Sequence, residues 1–321
     1  MKITKKLTYL LLVLALALSL AACGQDAKKE DTKDEPKVED KKDGETKEEP
    51  KEEGKDGEAA EATIAKIGLG STTSLAKSKE LKDDKGQAQA DTTAVAVAVD
   101  ANDKIVDVII DTAQSKAPVK DDGSLGFETS QELKTKRELG EEYGMKDASE
   151  IKKEWFEQAD ALEDAWKGKT IEEALNMKKD EDKDTLPELA SSVTIKVSGY
   201  QEALKAASEN MVEAKDGVKL GLGIDTVFGG HGTAPAKDDK GAKVQFETNM
   251  VALATDKDGK IVASLIDTAQ NTVEFTKDGK LADNFNEKGT TKKELGEEYG
   301  MKDASEIKKE WFEQIEGLEN I

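Results

Sequence analysis

The chain has very few of the residues on which metal sites and nucleophilic active sites usually depend. Its 321 residues include one cysteine and one histidine. Zinc and copper sites of the usual kind need several such ligands, so we expect no metal centre. A Ser-His-Asp triad would have to use His231, which lies in a glycine-rich loop, and no serine has a supporting motif. The Walker loop, the dinucleotide fingerprint and the EF-hand loop are also missing from the sequence.

Positive charge is scarce relative to negative charge. The chain carries 48 Lys and Arg residues against 69 Asp and Glu residues, for a formal net charge of −21. Because nucleic acids are polyanions, this balance argues against nucleic acid as a partner. The single cysteine leaves no intramolecular disulfide, so the folded domains must be stabilised by burial alone.

The first 22 residues have the pattern of an export signal. Lysines precede an apolar run at 7–20 that is short for a membrane span, and small residues lead to Cys23. This end resembles the lipobox of bacterial lipoproteins, which implies that Cys23 carries a lipid and anchors the protein in the bilayer. The alternative is an ordinary signal peptide, but the lack of any other cysteine favours the lipoprotein. We therefore predict a protein anchored to the extracytoplasmic face of the cell membrane.

Residues 23–62 are predicted to form a disordered tether. Between residues 26 and 62 most positions are Lys, Asp or Glu, and Val38 is the only large aliphatic side chain. Such a segment cannot bury enough apolar surface to offset the entropy of ordering. Its predicted role is to hold the following domains away from the membrane.

The sequence contains one unit twice. Residues 138–158 and 294–314 are identical, at an offset of 156 residues, and the similarity continues on the N-terminal side. This period is too long for a solenoid, whose repeats span roughly 20–50 residues. We therefore predict two copies of one domain, at 63–216 and 217–321.

Each copy is predicted to begin with antiparallel strands. In the first copy, alternating residues at 94–99, a polar turn and a strand at 105–111 indicate a hairpin. The same pattern covers 250–254 and 261–267 in the second copy, and a further turn is expected at 278–280.

Helices are predicted to follow the strands. Three capping boxes predict helices that run from Asp147 to Gly168, over 171–177 after Thr170, and over 200–214 after Ser198. Strands followed by helices indicate an α+β fold with an antiparallel sheet. Each copy is long enough to form a core of its own.

Three hydroxyl side chains fall within four residues just before the third predicted helix. They belong to Ser191, Ser192 and Thr194, at the end of a stretch that begins at Glu188. A helix N-terminus attracts phosphate through free backbone N–H groups and the helix dipole, and a hydroxyl there could hold a phosphate covalently. The alternative, which composition alone favours, is that Thr194 is a strand residue and the serines are helix caps.

This stretch resembles the flavin acceptor motif Asp-x-x-Ser/Thr-Gly-Ala-Thr of the FMN-binding domains of sodium-pumping NADH:quinone oxidoreductases and Rnf complexes. Ser191 and the acceptor Thr194 match the motif, whereas Glu188, Ser192 and Val193 replace its Asp, Gly and Ala. Together with the Gly-Leu-Gly strands, the repeated block and the tryptophan helix, it makes nearly all of the chain beyond the tether similar to the duplicated FMN-binding lipoproteins of Firmicutes, of the pheromone-lipoprotein type.

The resemblance implies a tandem repeat of a small FMN-binding domain built from an antiparallel sheet and helices. It implies that a flavin transferase uses FAD as donor and links FMN covalently to Thr194 through a phosphoester, with Glu188, Ser191 and Ser192 as the surrounding motif. The protein is then expected to be an electron carrier rather than an enzyme. It would pass electrons from membrane proteins that oxidise quinol to extracellular acceptors.

The second copy is predicted to be incomplete. The chain ends at Ile321, whereas the counterpart of Thr194 would fall near residue 350, which is 194 + 156. We therefore expect a second copy that is truncated at its C-terminus, and one flavin on the chain.

A cofactor-free lipoprotein that binds or senses a solute or peptide at the cell surface is the alternative function. Purified protein without yellow colour would favour it. A peptide pheromone released from residues 11–22 of the signal is compatible with either function, although most lipoprotein signals are apolar for export alone.

Overall fold

The computed structural model describes residues 63–320, which belong to one compact unit of the chain. The predicted signal peptide at 1–22, the lipid-bearing Cys23 and the tether at 23–62 lie outside these residues. Within them the fold is mixed α+β, with two antiparallel sheets and six α-helices. No helix in the described range is long and apolar enough to cross a membrane.

The first sheet has the order β3-β2-β1-β4. Its strands are β1 (Ile64–Ser74), β2 (Gln87–Val99), β3 (Ile105–Pro118) and β4 (Val212–Gly217), and the short β8 (Lys288–Gly289) also pairs with β1. The predicted hairpin at 94–111 is confirmed, and both of its strands are longer than expected.

The second sheet has the order β5-β6-β7. Its strands are β5 (Lys219–Phe228), β6 (Lys243–Thr255) and β7 (Ile261–Glu274). The predicted pair at 250–267 is therefore confirmed. The turn at 278–280 is confirmed too, because the Thr276 N–H donates to the Lys280 carbonyl at 2.8 Å.

The two faces of β2 serve two different cores, because successive side chains of a strand point to opposite faces. Val95, Val97 and Val99 pack with the helices that follow β3. The alanines at 94, 96 and 98 pack against Met250 and its neighbours in the second sheet. The expectation that each copy has a core of its own holds for the first copy, whose valine-side cluster contains residues of 63–216 only. It is wrong for the second copy, whose buried side chains lie in clusters shared with the first.

The six helices of the described residues pack around these sheets. They are α1 (Lys136–Leu139), α2 (Trp155–Trp166), α3 (Ile171–Leu175), α4 (Ser198–Ser208), α5 (Lys292–Leu295) and α6 (Trp311–Glu319). The helix expected from Asp147 begins only at Trp155, so its predicted start is wrong. The carboxylate of Glu154 accepts the N–H groups of Met145 and Lys146 at 2.8 and 3.1 Å, and this holds the preceding residues in a turn.

The other two predicted caps have opposite outcomes. The box of Thr170 and Glu173 is confirmed at the start of α3. The box at Ser198 is wrong, because its hydroxyl donates to Asp184 Oδ1 at 2.5 Å and caps no helix amide. The helix predicted to reach residue 214 ends at Ser208, and Ala214 lies fully buried in β4. Pairing of β4 with the free edge of β1 overrides the helical pattern there.

Helix α4 lies directly on β1 at two glycines. A Cβ atom on Gly68 would stand 2.3 Å from the carbonyl oxygen of Ala207, and one on Gly70 would stand 2.2 Å from that of Ala203. Real carbon and oxygen atoms do not approach so closely without a shift of the backbone. The Gly-Leu-Gly pattern of β1 is therefore required by the contact with α4.

Alanine substitutions should show whether glycine is needed for the close approach of α4, because a general effect of glycine in a strand would appear equally in β1 and β5. We expect Gly70→Ala to lower the free energy of unfolding by about 1–3 kcal/mol, as overpacking of a core does. Gly223 has the matching place in β5, and a Cβ atom on it would have no neighbour within 4 Å. Gly223→Ala should therefore be close to neutral in urea unfolding. Equal losses in both variants would contradict the proposed packing.

Candidate functional site

The predicted acceptor stretch forms a tight surface turn that leads into α4. Residues Pro187–Leu189 make one turn of 3-10 helix. The Leu189 carbonyl then accepts three hydrogen bonds, from the Ser192 N–H at 2.8 Å, the Ser192 hydroxyl at 3.2 Å and the Val193 N–H at 2.7 Å. Glu188 and Ser191 are exposed on this turn. The Ser192 hydroxyl thus has a structural partner, and Thr194 comes next in the chain after buried Val193.

Thr194 is held by one buried side chain. The carbonyl oxygen Oε1 of Gln158 accepts the Thr194 backbone N–H at 2.8 Å and the Thr194 hydroxyl at 3.1 Å. Gln158 is fully buried in α2. Its amide nitrogen Nε2 donates to the Ser149 hydroxyl at 3.2 Å and to the Lys153 carbonyl at 3.3 Å. The glutamine therefore connects the acceptor loop to α2 and to the turn before it.

The N-terminus of α4 already has an anion of its own. The Asp184 carboxylate accepts the Ser198 N–H at 3.2 Å and the Ser198 hydroxyl at 2.5 Å. Lys179 Nζ donates to the same hydroxyl at 2.9 Å. The Ser198 N–H is therefore not free to bind a phosphate on Thr194. The predicted binding of an anion at this helix end is made by the Asp184 carboxylate.

A cleft of about 620 Å³ opens beside the acceptor loop, between α1, α2 and α4 and the polar edge of the first sheet. Its volume lies in the usual range for sites that bind cofactors and other small molecules. Ile195 and Lys196 line the cleft, so Thr194 stands one residue outside its wall. The remaining lining includes Lys77, Asp91, Thr93, Thr112, Lys136, Tyr143, Met145, Trp155, Tyr200 and Lys288.

A buried cation and three aromatic rings form one wall of the cleft. Lys136 Nζ lies 4.9 Å from the ring centre of Tyr143 and 5.1 Å from that of Trp155. The Trp155 indole N–H donates to the Tyr200 hydroxyl at 2.9 Å. Burial lowers the pKa of Lys136 to about 8, and burial raises the pKa of Tyr200 to about 12. This wall therefore combines flat apolar ring faces, the Tyr200 hydroxyl and the ammonium group of Lys136, whose charged form is destabilised by burial.

The sequence indicated only part of this site. Among the aromatic residues of the repeated block, Trp155 and Tyr143 line the cleft, while Phe156 packs against the core. Lys136 and Gln158 were missed. Gln158 is the last residue of the identical block, and Lys136 lies two positions before its start. The repeat was therefore the one feature of the sequence that could have drawn attention to both residues.

Residues 217–320, the second segment, contain a similar cluster of one lysine and two aromatic rings. No helix equivalent to α4 packs over this cluster within the described residues. Lys292 Nζ lies 5.1 Å from the ring centre of Tyr299 and 5.5 Å from that of Trp311. Trp155 is 1% exposed, whereas Trp311 is only partly buried. In the first segment the difference comes from α4, whose Tyr200 packs against Trp155.

Comparisons of the chain with protein-family models, with curated proteins and with solved structures found no match. Aromatic faces and threonine hydroxyls suit a flat ligand with a polar edge. The lysines of the lining are matched in number by the carboxylates of Asp91, Asp184, Glu202 and Glu287, so the lining as a whole does not select for negative charge.

Lys136 should give the folded protein a distinctive pH dependence. Its pKa falls from 10.5 to about 8 on folding, so the unfolded chain binds more protons between these values. The free energy of unfolding should therefore rise with pH between about 8 and 10.

The control for this measurement is Lys136→Met, which keeps the length of the side chain and removes the titrating group. Urea unfolding of this variant should show a smaller rise with pH over the same interval. Parallel curves for the two proteins would mean that Lys136 is not responsible.

Proposed function

We propose that this protein is an extracytoplasmic electron carrier that holds FMN as a phosphoester on Thr194. The observation that carries the proposal is the position of Thr194, which directly precedes Ile195 and Lys196 in the lining of a cleft of cofactor size with aromatic rings in its wall. We further propose that 63–216 and 217–321 belong to two copies of one FMN-binding domain. Identity of 138–158 with 294–314 supports this duplication.

The residues of the cleft fit the chemistry of FMN. Tyr143 and Trp155 would offer aromatic surfaces to the ring system, and Lys136 would place a donor near its polar edge. Lys196 follows the acceptor by two positions and is exposed, so it would lie close to the negatively charged phosphodiester. When bound, the flavin supplies the redox chemistry. The protein contributes its position and the exclusion of water.

The acceptor loop is accessible to a modifying enzyme. Glu188 and Ser191 are exposed on a turn that precedes α4, and such surface loops can enter the site of a second protein. A flavin transferase would use FAD as donor here, with Glu188, Ser191 and Ser192 as the motif around Thr194. This assignment agrees with the structural role of Ser192, whose hydroxyl bonds within the turn.

The proposed location and partners depend on segments outside the described residues. Cys23 would carry the lipid anchor, and the tether at 23–62 would let the folded part reach membrane proteins that oxidise quinol. Electrons would then pass to acceptors outside the cell. The excess of acidic residues supports solubility at the surface and argues against nucleic acid as a partner.

A cofactor-free surface lipoprotein is the second candidate function. It is favoured by the fact that Thr194 does not line the cleft and that its hydroxyl already has a partner in Gln158. The same cleft would then bind a solute or peptide reversibly. A pheromone cut from residues 11–22 remains a separate proposal that fits either function.

Co-expression with a flavin transferase tests the proposed function. We expect the wild-type protein to become yellow and to gain one FMN by intact mass, whereas Thr194→Ala should stay colourless because it lacks the acceptor oxygen. Thr194→Ser should retain labelling. Ser208→Ala is the control, since it lies outside the acceptor motif, removes a hydroxyl that donates to the Lys205 carbonyl at 2.6 Å and about 1 kcal/mol of hydrogen bonding, and should be labelled like the wild type. Flavin on Thr194→Ala would contradict the assignment, and unlabelled wild-type protein would favour the cofactor-free binder.

A further inference from the structure

We infer that Gln158 is the positioning residue for flavin attachment: its buried amide oxygen orients the Thr194 hydroxyl for transfer. The inference deepens the proposed function and rests on it. Of the described side chains, Gln158 is the one that contacts both the backbone and the hydroxyl of the acceptor. It touches neither the donor nor the phosphorus, so it acts only through Thr194.

The orientation of the Gln158 amide is determined by its neighbours. The Thr194 N–H can only donate, so the atom that faces it must be Oε1. The Lys153 carbonyl can only accept, so the atom that faces it must be Nε2. Because Gln158 is fully buried, a rotation of its amide would leave its own oxygen and nitrogen without partners, which costs about 1–3 kcal/mol for each group.

This arrangement suits an attack by the threonine oxygen. The Thr194 hydroxyl donates its proton to Gln158, so the lone pairs of the oxygen are directed away from the amide. In the reaction, Oγ1 forms a bond to the phosphorus on the riboflavin side of FAD, and the bond from that phosphorus to the bridging oxygen breaks. AMP leaves with the electron pair, and the proton of the hydroxyl passes to a base of the transferase or to water. No oxidation or reduction occurs.

A neutral amide is better suited to this position than a carboxylate. The product carries a negative phosphodiester on Oγ1, the atom that lies 3.1 Å from Oε1 in the free protein. A carboxylate there would repel the incoming phosphate group. After attachment Oγ1 has no proton to donate, but the backbone N–H of Thr194 still donates to Gln158, so the loop stays fixed while the side chain carries the cofactor.

The chain supplies a matched control in its repeated block. Gln314 occupies the same place in α6 and donates to the Ser305 hydroxyl at 3.2 Å and to the Lys309 carbonyl at 3.0 Å. Within residues 63–320 no threonine donates to its carbonyl oxygen. A substitution at Gln314 therefore removes the same kind of amide from an identical local sequence without touching the acceptor.

The test measures transfer kinetics on the full chain with purified transferase and FAD. The variants are Gln158→Met, Gln158→Glu, Ser149→Ala and the control Gln314→Met. We expect kcat to fall about 10- to 100-fold for Gln158→Met with little change in KM for the protein substrate, since misplacement of a reacting atom has effects of this size. Gln158→Glu should also lose kcat, through charge. Ser149→Ala, which only loosens the glutamine, should lose less and provides a variant with a mild effect on folding.

Amide hydrogen exchange at Thr194 is the second readout, because it reports the contact whether or not flavin is attached. Protection should be lost in Gln158→Met and kept in Gln158→Glu and Gln314→Met. Transfer at the wild-type rate by Gln158→Met, or unchanged protection of Thr194, would overturn the inference while the proposed function stands. If the wild-type protein itself accepts no flavin, the proposed function fails and the positioning role fails with it.

Discussion

The contact of α4 with β1 is the constraint on which the site depends. Because Gly68 and Gly70 have no side chains, the backbone of α4 approaches the strand at Ala203 and Ala207. The position of α4 then determines where the preceding loop lies, and that loop contains Thr194. The helix also places Tyr200 against Trp155, which closes one wall of the cleft. One short pattern in a strand therefore has consequences for the acceptor and for the proposed ring pocket.

The two faces of strand β2 pack against different parts of the molecule: one faces the helices that line the cleft, and the other, the supporting side, faces the second sheet. Its valines pack with the helices that bear the cleft, and its alanines pack against the second sheet. The small side chains on the supporting side let the two sheets approach closely. The second segment also reaches the cleft itself, since β8 pairs with β1 and Lys288 lies in the lining. The second segment thus contributes Lys288 to the cleft of the first.

Local patterns predicted the local parts of this structure, and long-range contacts decided the rest. Alternation predicted both hairpins, and the pairing of Thr170 with Glu173 predicted the start of α3. The same kind of pattern was misleading at Ser198, because the carboxylate of Asp184 lies close enough to take its hydroxyl. The cleft was not predictable in detail. Lys136, Trp155 and Tyr200 converge only when α1, α2 and α4 pack together, and no spacing in the sequence records that packing.

The most direct test of the central claim is peptide mapping by mass spectrometry on protein purified from its native host. The account predicts one modified peptide, which contains residues 188–194 and carries one FMN less one water on Thr194. It also predicts that no peptide from the second segment carries flavin. Colourless native protein with an unmodified Thr194 peptide would contradict the account, and the cleft would then have to be explained as a reversible binding site.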